Sequence, residues 1–498
     1  MAYFLLTGAT GLLGRYLLRD ITLAELPLAV VVRPTKWESA AQRIETAMAH
    51  WENDLGRPLV RPVILQGDIG EPGLGLNEHD LEWVRANCGS MIHSAASLTF
   101  HAEQPTGEPW RSNVQGTRNV LELCRRLQIR DYHHVSTAYV CGLRRGRVME
   151  TELDLGQEFG NDYEQTKITA EKEVLAASDF ERVTIYRPSI IVGDSATGFT
   201  TSYHGFYTPL RLVYSLLRTL PGEVIMGGDW MGTLQLAGDE RKNLVAVDWV
   251  SAAMTWVVAH PECHGKTYHL TNPAPATTQS MRHAMGIVLG ELVRDRKSSR
   301  SLHEVGDDYA DSFREQMGVY QSYWSDDPAF DSTNTQTALP HLPCPEIDAT
   351  VLDRLVRFAV GANFGWPREA PIVPPYEVAS QLRPWLAAGG LPTLGNSRLR
   401  YVSLHVSGPG GGQWHLVVDQ ERLVGAGLGL KHGAGLTCYL TSATFAELTR
   451  GKITLEESIN SGQLVIAGNS VHPSELARFL GDLASPGGKQ PLPKALIR

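Results

Sequence analysis

Tyr163 and Lys167 stand four residues apart in Asn161-Asp162-Tyr163-Glu164-Gln165-Thr166-Lys167, at the head of a stretch with helical character through Ala176. Residues at that spacing share one face of a helix. A phenol has a pKa near 10 and is a poor acid or base at neutral pH. An ammonium group one turn away favours the phenolate and lowers that value. Thr137 follows an apolar run, Tyr132-His133-His134-Val135, in the stretch Ser136-Thr137-Ala138-Tyr139-Val140. Side chains alternate along a strand, so only one of Ser136 and Thr137 faces a site, and Thr137 is chosen. Its hydroxyl is placed to hold a carbonyl oxygen while Tyr163 donates a proton to it. A Tyr-x-x-x-Lys spacing is common on helix surfaces. Its position in the chain gives it meaning.

That position is set by the first residues. Tyr3-Phe4-Leu5-Leu6 reads as a strand, Thr7-Gly8-Ala9-Thr10-Gly11-Leu12-Leu13-Gly14 as a turn, and Leu12 to Ile21 as a helix. Strand, glycine turn and helix are the context in which this pattern holds a dinucleotide. Gly8 allows the tight turn, Gly11 lets the backbone approach a pyrophosphate, and Gly14 lets the helix pack close to the strand. The helix start offers free N–H groups to phosphate. Thr7, Thr10, Leu12 and Leu13 complete the cradle. The next apolar run, Leu28 to Val32, ends in Arg33, with Lys36 and Arg43 behind it. An acidic residue there would select NAD through the ribose 2′-hydroxyl. A cation favours a 2′-phosphate, so NADP(H) is expected.

The elements that position these residues follow in order. Pro62 to Leu65 is a strand leading to Asp68 and Ile69; Asp68 either faces an adenine ring or caps the next turn. Ser90 to His93 is a strand leading to Ser94-Ala95-Ala96, small residues where a ligand approaches an open sheet. His93 reads as a hydrogen-bonded structural histidine. Asn113 opens a helix through Leu127, and Val183 to Tyr186 is a sixth strand, running to Arg187-Pro188-Ser189. Strands alternating with helices predict an α/β fold with a parallel, doubly wound sheet of the Rossmann type.

Thr7–Gly14, Asp68, Asn113-Val114-Gln115-Gly116-Thr117, Val135 to Val140 and Asn161–Lys167 together resemble the extended short-chain dehydrogenase/reductase superfamily. Val32-Arg33, Gly67-Asp68, Tyr163 to Lys167 with Ala170-Glu171, and Arg187 to Gly198 are similar to its thioester reductase and fatty acyl-CoA reductase branch. The resemblance covers residues 1–366. It implies reduction of an acyl thioester by NADPH to an aldehyde, and in some members to the alcohol. It also implies Thr137, Tyr163 and Lys167 as the catalytic set and Arg33 and Arg43 as the phosphate clamp. Asn113 would support the lysine through water, and Arg187-Pro188-Ser189 would lie beside the nicotinamide.

Phe199 to Tyr207 is irregular and aromatic, suited to an apolar substrate or to ordinary core packing, and residues 281–325 read as a polar helical cover. Residues 367–385 hold four prolines near their start and read as an extended linker. Beyond it, four strands between glycine turns, a helix, Leu455 to Ile459, a strand from Gly462 to Asn469 and a helix from Pro473 to Leu483 resemble the sterol carrier protein type two fold. That likeness, over 386–487 with a tail at 488–498, implies an α+β unit that binds lipid beside a five-stranded sheet.

The chain has 498 residues, 43% hydrophobic and 20% charged, with a net charge of −9. Its length predicts two or more domains, and its charge argues against a nucleic-acid partner. Six scattered cysteines without a C-x-x-C pair suggest neither a zinc site nor disulfides, which fits a reducing, cytoplasmic setting. No apolar run approaches the ~18 residues of a transmembrane helix, which leaves peripheral membrane contact open. Three functions follow. The first is an NADPH-dependent reductase of a lipid acyl thioester on CoA or acyl carrier protein, with the C-terminal unit concentrating the lipid. The second is a hydroxysteroid or other lipid alcohol dehydrogenase. The third is a lipid carrier that only senses NADP(H).

Overall fold

The computed structural model describes residues 2–104, 106–217, 236–295, 325–367, 370–386, 400–419, 422–431 and 433–468. Its centre is a sheet of seven strands: β1 (Tyr3–Thr7), β2 (Leu28–Val32), β3 (Val63–Gln66), β4 (Cys88–His93), β5 (Asp131–Val135), β6 (Arg182–Pro188) and β7 (Thr267–Leu270). The order is β7-β6-β5-β4-β1-β2-β3, and every pairing is parallel. Strand β2 is Leu-Ala-Val-Val-Val and buried at all five positions. A parallel sheet is covered on both faces, which is why its strands read as continuous apolar runs.

Helices supply the covering layers: α1 (Leu12–Leu23), α2 (Ala40–Leu55), α3 (Glu78–Asn87), α4 (Gly116–Leu127), α5 (Asp162–Ala176), α6 (Tyr207–Leu217), α7 (Val247–Ala259), α8 (Thr278–Asp295) and α9 (Ala349–Gly361). One core packs Leu17, Ile21 and Trp51 with Met254 and Val257 of α7. The other packs Leu123, Leu127 and Val174 on the opposite face. A third cluster joins α6, α8 and α9 through Leu210, Val288 and Leu355 and forms a smaller lobe over the sheet. The direction of the sheet reverses between β1 and β4, and there the crevice for a ligand opens at the strands' carboxyl ends. Strand β7 was not expected from the sequence: Thr-Tyr-His-Leu is four residues long and gains its identity only by pairing with β6.

The C-terminal unit is a second, five-stranded sheet: β8 (Arg400–Ser407), β9 (Gly412–Asp419), β10 (Arg422–Leu428), β11 (Leu436–Thr441) and β12 (Leu464–Ala467), in the order β10-β9-β8-β11-β12. Its strands and the helices α11 (Ser442–Thr449) and α12 (Leu455–Asn460) lie close to the expected spans. The expected helix at 473–483 lies outside the described residues, as does most of the proposed cover at 281–325; α8 accounts for its start. The linker is shorter than its proline content predicts. Its second half forms α10 (Val378–Leu386), which buries Val378 and Leu382 in the C-terminal core. Apolar burial at those two positions outweighs the extended tendency of the prolines before it.

The two units share a polar seam. The Tyr3 hydroxyl donates to Gln413 Oε1 at 2.6 Å and accepts from Leu430 N at 2.8 Å. Trp83 Nε1 donates to Leu428 O at 2.7 Å, and Gly410 N donates to Glu45 Oε1 at 3.1 Å. Arg61 is fully buried and paired with Glu45 at 2.8 Å, and its Nη2 also donates to Glu52 Oε2 at 3.0 Å. Tyr3 begins β1, and Arg61 precedes β3. The seam therefore lies at the pole where the strands start, opposite the crevice. Replacing Tyr3 with Phe should leave Gln413 and Leu430 N without their partner and cost about 1–3 kcal/mol. A urea midpoint for the Tyr3→Phe chain equal to that of the unaltered chain would contradict this seam.

Candidate active site

The glycine turn is shaped by contact. Gly8 has φ +81°, and a Cβ there would lie 2.6 Å from Ala95 N; a Cβ on Gly14 would lie 2.0 Å from Gly8 O. Only hydrogen fits at either point. Gly11 caps α1 with no side-chain acceptor, and the first turn holds no acidic residue. By contrast α2, α3 and α5 are capped by Ser39, Asn77 and Asn161. The open N–H groups of α1 therefore point at a cradle that fits the pyrophosphate of a dinucleotide. A cavity of about 1400 Å³ runs from Gly8, Thr10, Gly11, Leu12, Leu13 and Gly14 past Ala96 to Thr137, Tyr163, Lys167, Pro188 and Ser189.

Thr137 ends the β5 segment and caps the short turn Ala138–Cys141, accepting from Tyr139 N at 3.3 Å. Its hydroxyl donates to Pro188 O at 3.4 Å and lies near enough to the Tyr163 hydroxyl to favour the phenolate. Ser136 instead donates to Glu171 Oε2. Strand alternation turns the two hydroxyls to different partners, and both residues border the cavity. Asn161 caps α5, accepting from Glu164 N at 3.0 Å, and so sets Tyr163 at the first turn. Lys167 Nζ donates to Val135 O at 2.7 Å.

The electrostatics differ from the sequence expectation. Burial pushes the Tyr163 phenol up to about 12, while the nearby Thr137 hydroxyl acts in the lowering direction. Burial brings Lys167 down to about 8, with Glu171 acting the other way. Desolvation disfavours both charged forms, and it exceeds the tuning of the phenol expected from the lysine.

The remaining expected residues fall into two groups. Arg43 Nη2 donates to Thr10 Oγ1 at 2.7 Å and its Nη1 donates to Arg33 O at 2.5 Å, so it bridges the glycine turn and the end of β2. Arg33 is exposed and pairs with Asp68 at 3.5 Å. Asp68 also accepts from Gly70 N at 2.9 Å, which is the capping role. Thr7 Oγ1 meets His93 Nδ1 at 2.8 Å and accepts from Ala95 N, fixing the segment beside Gly8. The other nitrogen of His93 lies 3.2 Å from Thr117 Oγ1, the structural role expected. Ile69 packs on Gly116. Asn113 Oδ1 accepts from Ser97 N at 2.8 Å, and its Nδ2 donates to Thr166 Oγ1 at 3.0 Å.

Arg187 is fully buried, pairs with Glu171 at 2.6 Å and donates to Glu152 O. Pro188 and Ser189 line the cavity without it. Sequence reading missed Phe100, Ile190, Leu244, Met281 and Met285, which also line the cavity. Their only signal is apolarity, which core packing also explains.

The model of the NAD-binding family described as male sterility protein matches residues 6–254, half of the chain. The chain belongs to this family. It is 30% identical over 239 residues to a putative fatty acyl-CoA reductase of Drosophila melanogaster, covering 40% of this chain and 46% of that protein. It is 26% identical to the aldehyde reductase lnaA of Aspergillus flavus, covering 71% of this chain and 35% of the relative. The chain thus spans well under two thirds of the length of these curated relatives. The crystal structure of the terminal R domain from the myxalamid biosynthetic pathway superposes with a TM-score of 0.56 at 28% identity, covering 75% of this chain and 93% of that one. The fold and family are those of nicotinamide-dependent oxidoreductases.

Replacing Tyr163 with Phe should lower turnover by about 10²–10⁴ while leaving cofactor binding, read by fluorescence titration, unchanged; retained turnover removes Tyr163 as the proton donor. Lys167 is cationic below about 8 and neutral above it. Turnover that needs the cation therefore falls as pH rises through that value, and a flat kcat/KM profile between pH 7 and about 9 contradicts the role.

Proposed function

We propose that this chain is an NADPH-dependent reductase of an acyl thioester bearing a long apolar chain. The cavity carries the reading. At about 1400 Å³ it exceeds the ~300–1,000 Å³ of an ordinary ligand pocket, leaving room for a chain beside a dinucleotide. Its lining joins Leu98, Phe100, Phe206, Leu210, Met281 and Met285 to the glycine turn, Thr137 and Tyr163.

NADPH, when bound, supplies hydride to the thioester carbonyl carbon. Thr137 and Tyr163 hold the oxygen as negative charge builds on it, and Tyr163 delivers the proton. Lys167, anchored on Val135 O, supplies positive charge beneath the phenol. Loss of the thiol by cleavage of the C–S bond then leaves the aldehyde. Arg43 and Arg33 favour a 2′-phosphate, because Arg43 already spans from Thr10 to the end of β2. The relatives named as fatty acyl-CoA reductases support the thioester, and the five-stranded sheet supports the lipid-carrier reading of the C-terminal unit. Its seat at the pole away from the cavity argues against direct hand-over of lipid by that unit.

NADPH oxidation with a long-chain acyl-CoA should be matched by release of free CoA. Oxidation by ketones or aldehydes alone would sink the thioester reading and favour a lipid alcohol dehydrogenase. Changing Arg33 to Asp should weaken NADPH roughly tenfold or more, the equivalent of ~1.4 kcal/mol, with little effect on NADH; equal losses would contradict the phosphate clamp.

A further inference from the structure

At the opposite end of β5 from Thr137, three side chains converge without a use in the chemistry above. Asp131 and His133 are two residues apart on β5 and therefore project from one face. His264 enters from the turn before β7. Its ring stands perpendicular to that of His133, with centroids 4.4 Å apart. The three are 7%, 0% and 8% exposed. Their facing atoms all lie within 4.8 Å of one another. Asp131 Oδ2 is 2.9 Å from His264 Nδ1 and 3.6 Å from His133 Nε2. Arg182 Nε lies 3.7 Å from Asp131 Oδ1, and Ser90 Oγ lies 3.4 Å from Oδ2.

The far nitrogens decide what the near ones can do. His264 Nε2 is 3.0 Å from Val257 O. A carbonyl only accepts, so that nitrogen carries the proton. In the neutral ring Nδ1 is then a bare lone pair, and it faces a carboxylate oxygen. Two lone pairs in contact require a cation between or beside them, or a second proton on the ring. His133 Nδ1 is 2.9 Å from the Tyr186 hydroxyl, which fixes that ring as well. Asp131 Oδ1, His133 Nε2 and His264 Nδ1 all lack a well-formed hydrogen bond. A backbone carbonyl or hydroxyl behind each imidazole is the arrangement that orients metal-binding histidines.

We propose that Asp131, His133 and His264 form a binding site for a divalent transition cation, zinc(II) by ligand type, that ties the start of β5 to the turn before β7. Two imidazole nitrogens and one carboxylate suit zinc and its neighbours, and three protein ligands leave a position for water. The site is structural rather than part of hydride transfer. Its two ligands on β5 lie about 7 and 13 Å along the strand from Val135, by a rise of ~3.3 Å per residue. Sequence spacing gives no hint of it, because His264 is 131 residues beyond His133.

The test uses the full chain, stripped with a chelator and titrated with Zn²⁺ or Co²⁺. One equivalent should bind, Co²⁺ should give the visible absorption of a low-coordinate site, and Zn²⁺ should raise the thermal midpoint. Asp131→Asn and His264→Gln should each lose the Co²⁺ band. Tyr186→Phe keeps the ring and the three ligands and should weaken binding roughly tenfold or more. If the ligand variants do not fold, the unaltered chain still decides. Absence of a Co²⁺ band and of a Zn²⁺ thermal shift overturns the site. So does a histidine NMR spectrum showing both nitrogens of His264 protonated in the presence of Zn²⁺, the state in which a proton replaces the metal. Binding unchanged in His264→Gln would place the metal elsewhere and overturn it equally.

Discussion

The approach of Gly14 to Gly8 O sets the rest of the structure. With 2.0 Å between that oxygen and any Cβ at residue 14, helix α1 can leave β1 only if that side chain is hydrogen. Gly8 meets Ala95 N in the same way, so β1 and β4 can flank a crevice narrow enough for backbone to grip a phosphate. Thr7 holds both sides together through His93 and Ala95 N. Reversal of strand order between β1 and β4 opens the crevice there, and the cavity extends from it.

Burial governs the chemistry at the other end of that cavity. Lys167 is buried and Tyr163 part-buried at the cavity wall, and each is pushed toward its neutral form. A neutral phenol is the form that can donate a proton. The hydrogen bond to Val135 O anchors Lys167. The Arg187–Glu171 pair under β6 is part of the support, since Glu171 also receives Ser136, the neighbour of Thr137. A buried pair of this kind contributes little net stability, and its loss would leave a charge unpaired.

The molecule has two working poles. Carboxyl ends of the strands hold the glycine turn and the reactive hydroxyls. The amino ends hold the seam with the C-terminal unit and the Asp131–His133–His264 cluster. Tyr3 at the start of β1 and Thr7 at its end thus serve different tasks on one strand of five residues. The seam joins Tyr3, Trp83 and Glu45 to Gln413 of β9, to Gly410 and to backbone groups at the end of β10, which fixes the C-terminal unit against the sheet.

Periodicity and glycine spacing determined much of this from the chain alone. Apolar runs of five residues announce buried parallel strands, and the spacing of Gly8, Gly11 and Gly14 announces the turn, where no side chain fits at Gly8 or Gly14. Thr137, Tyr163 and Lys167 were legible because one strand end and one helical turn carry them. Tertiary structure alone decided the rest. Arg187 finds its buried partner Glu171 only in the fold, and no local pattern encodes that pairing. The acidity of Tyr163 depends on how fully it is desolvated, a property of everything packed around it. Val378 and Leu382 turn a proline-rich linker into a helix only because a core is waiting for them. The cavity walls and the Asp131–His133–His264 cluster join residues far apart in sequence, and only the folded chain brings their side chains within reach.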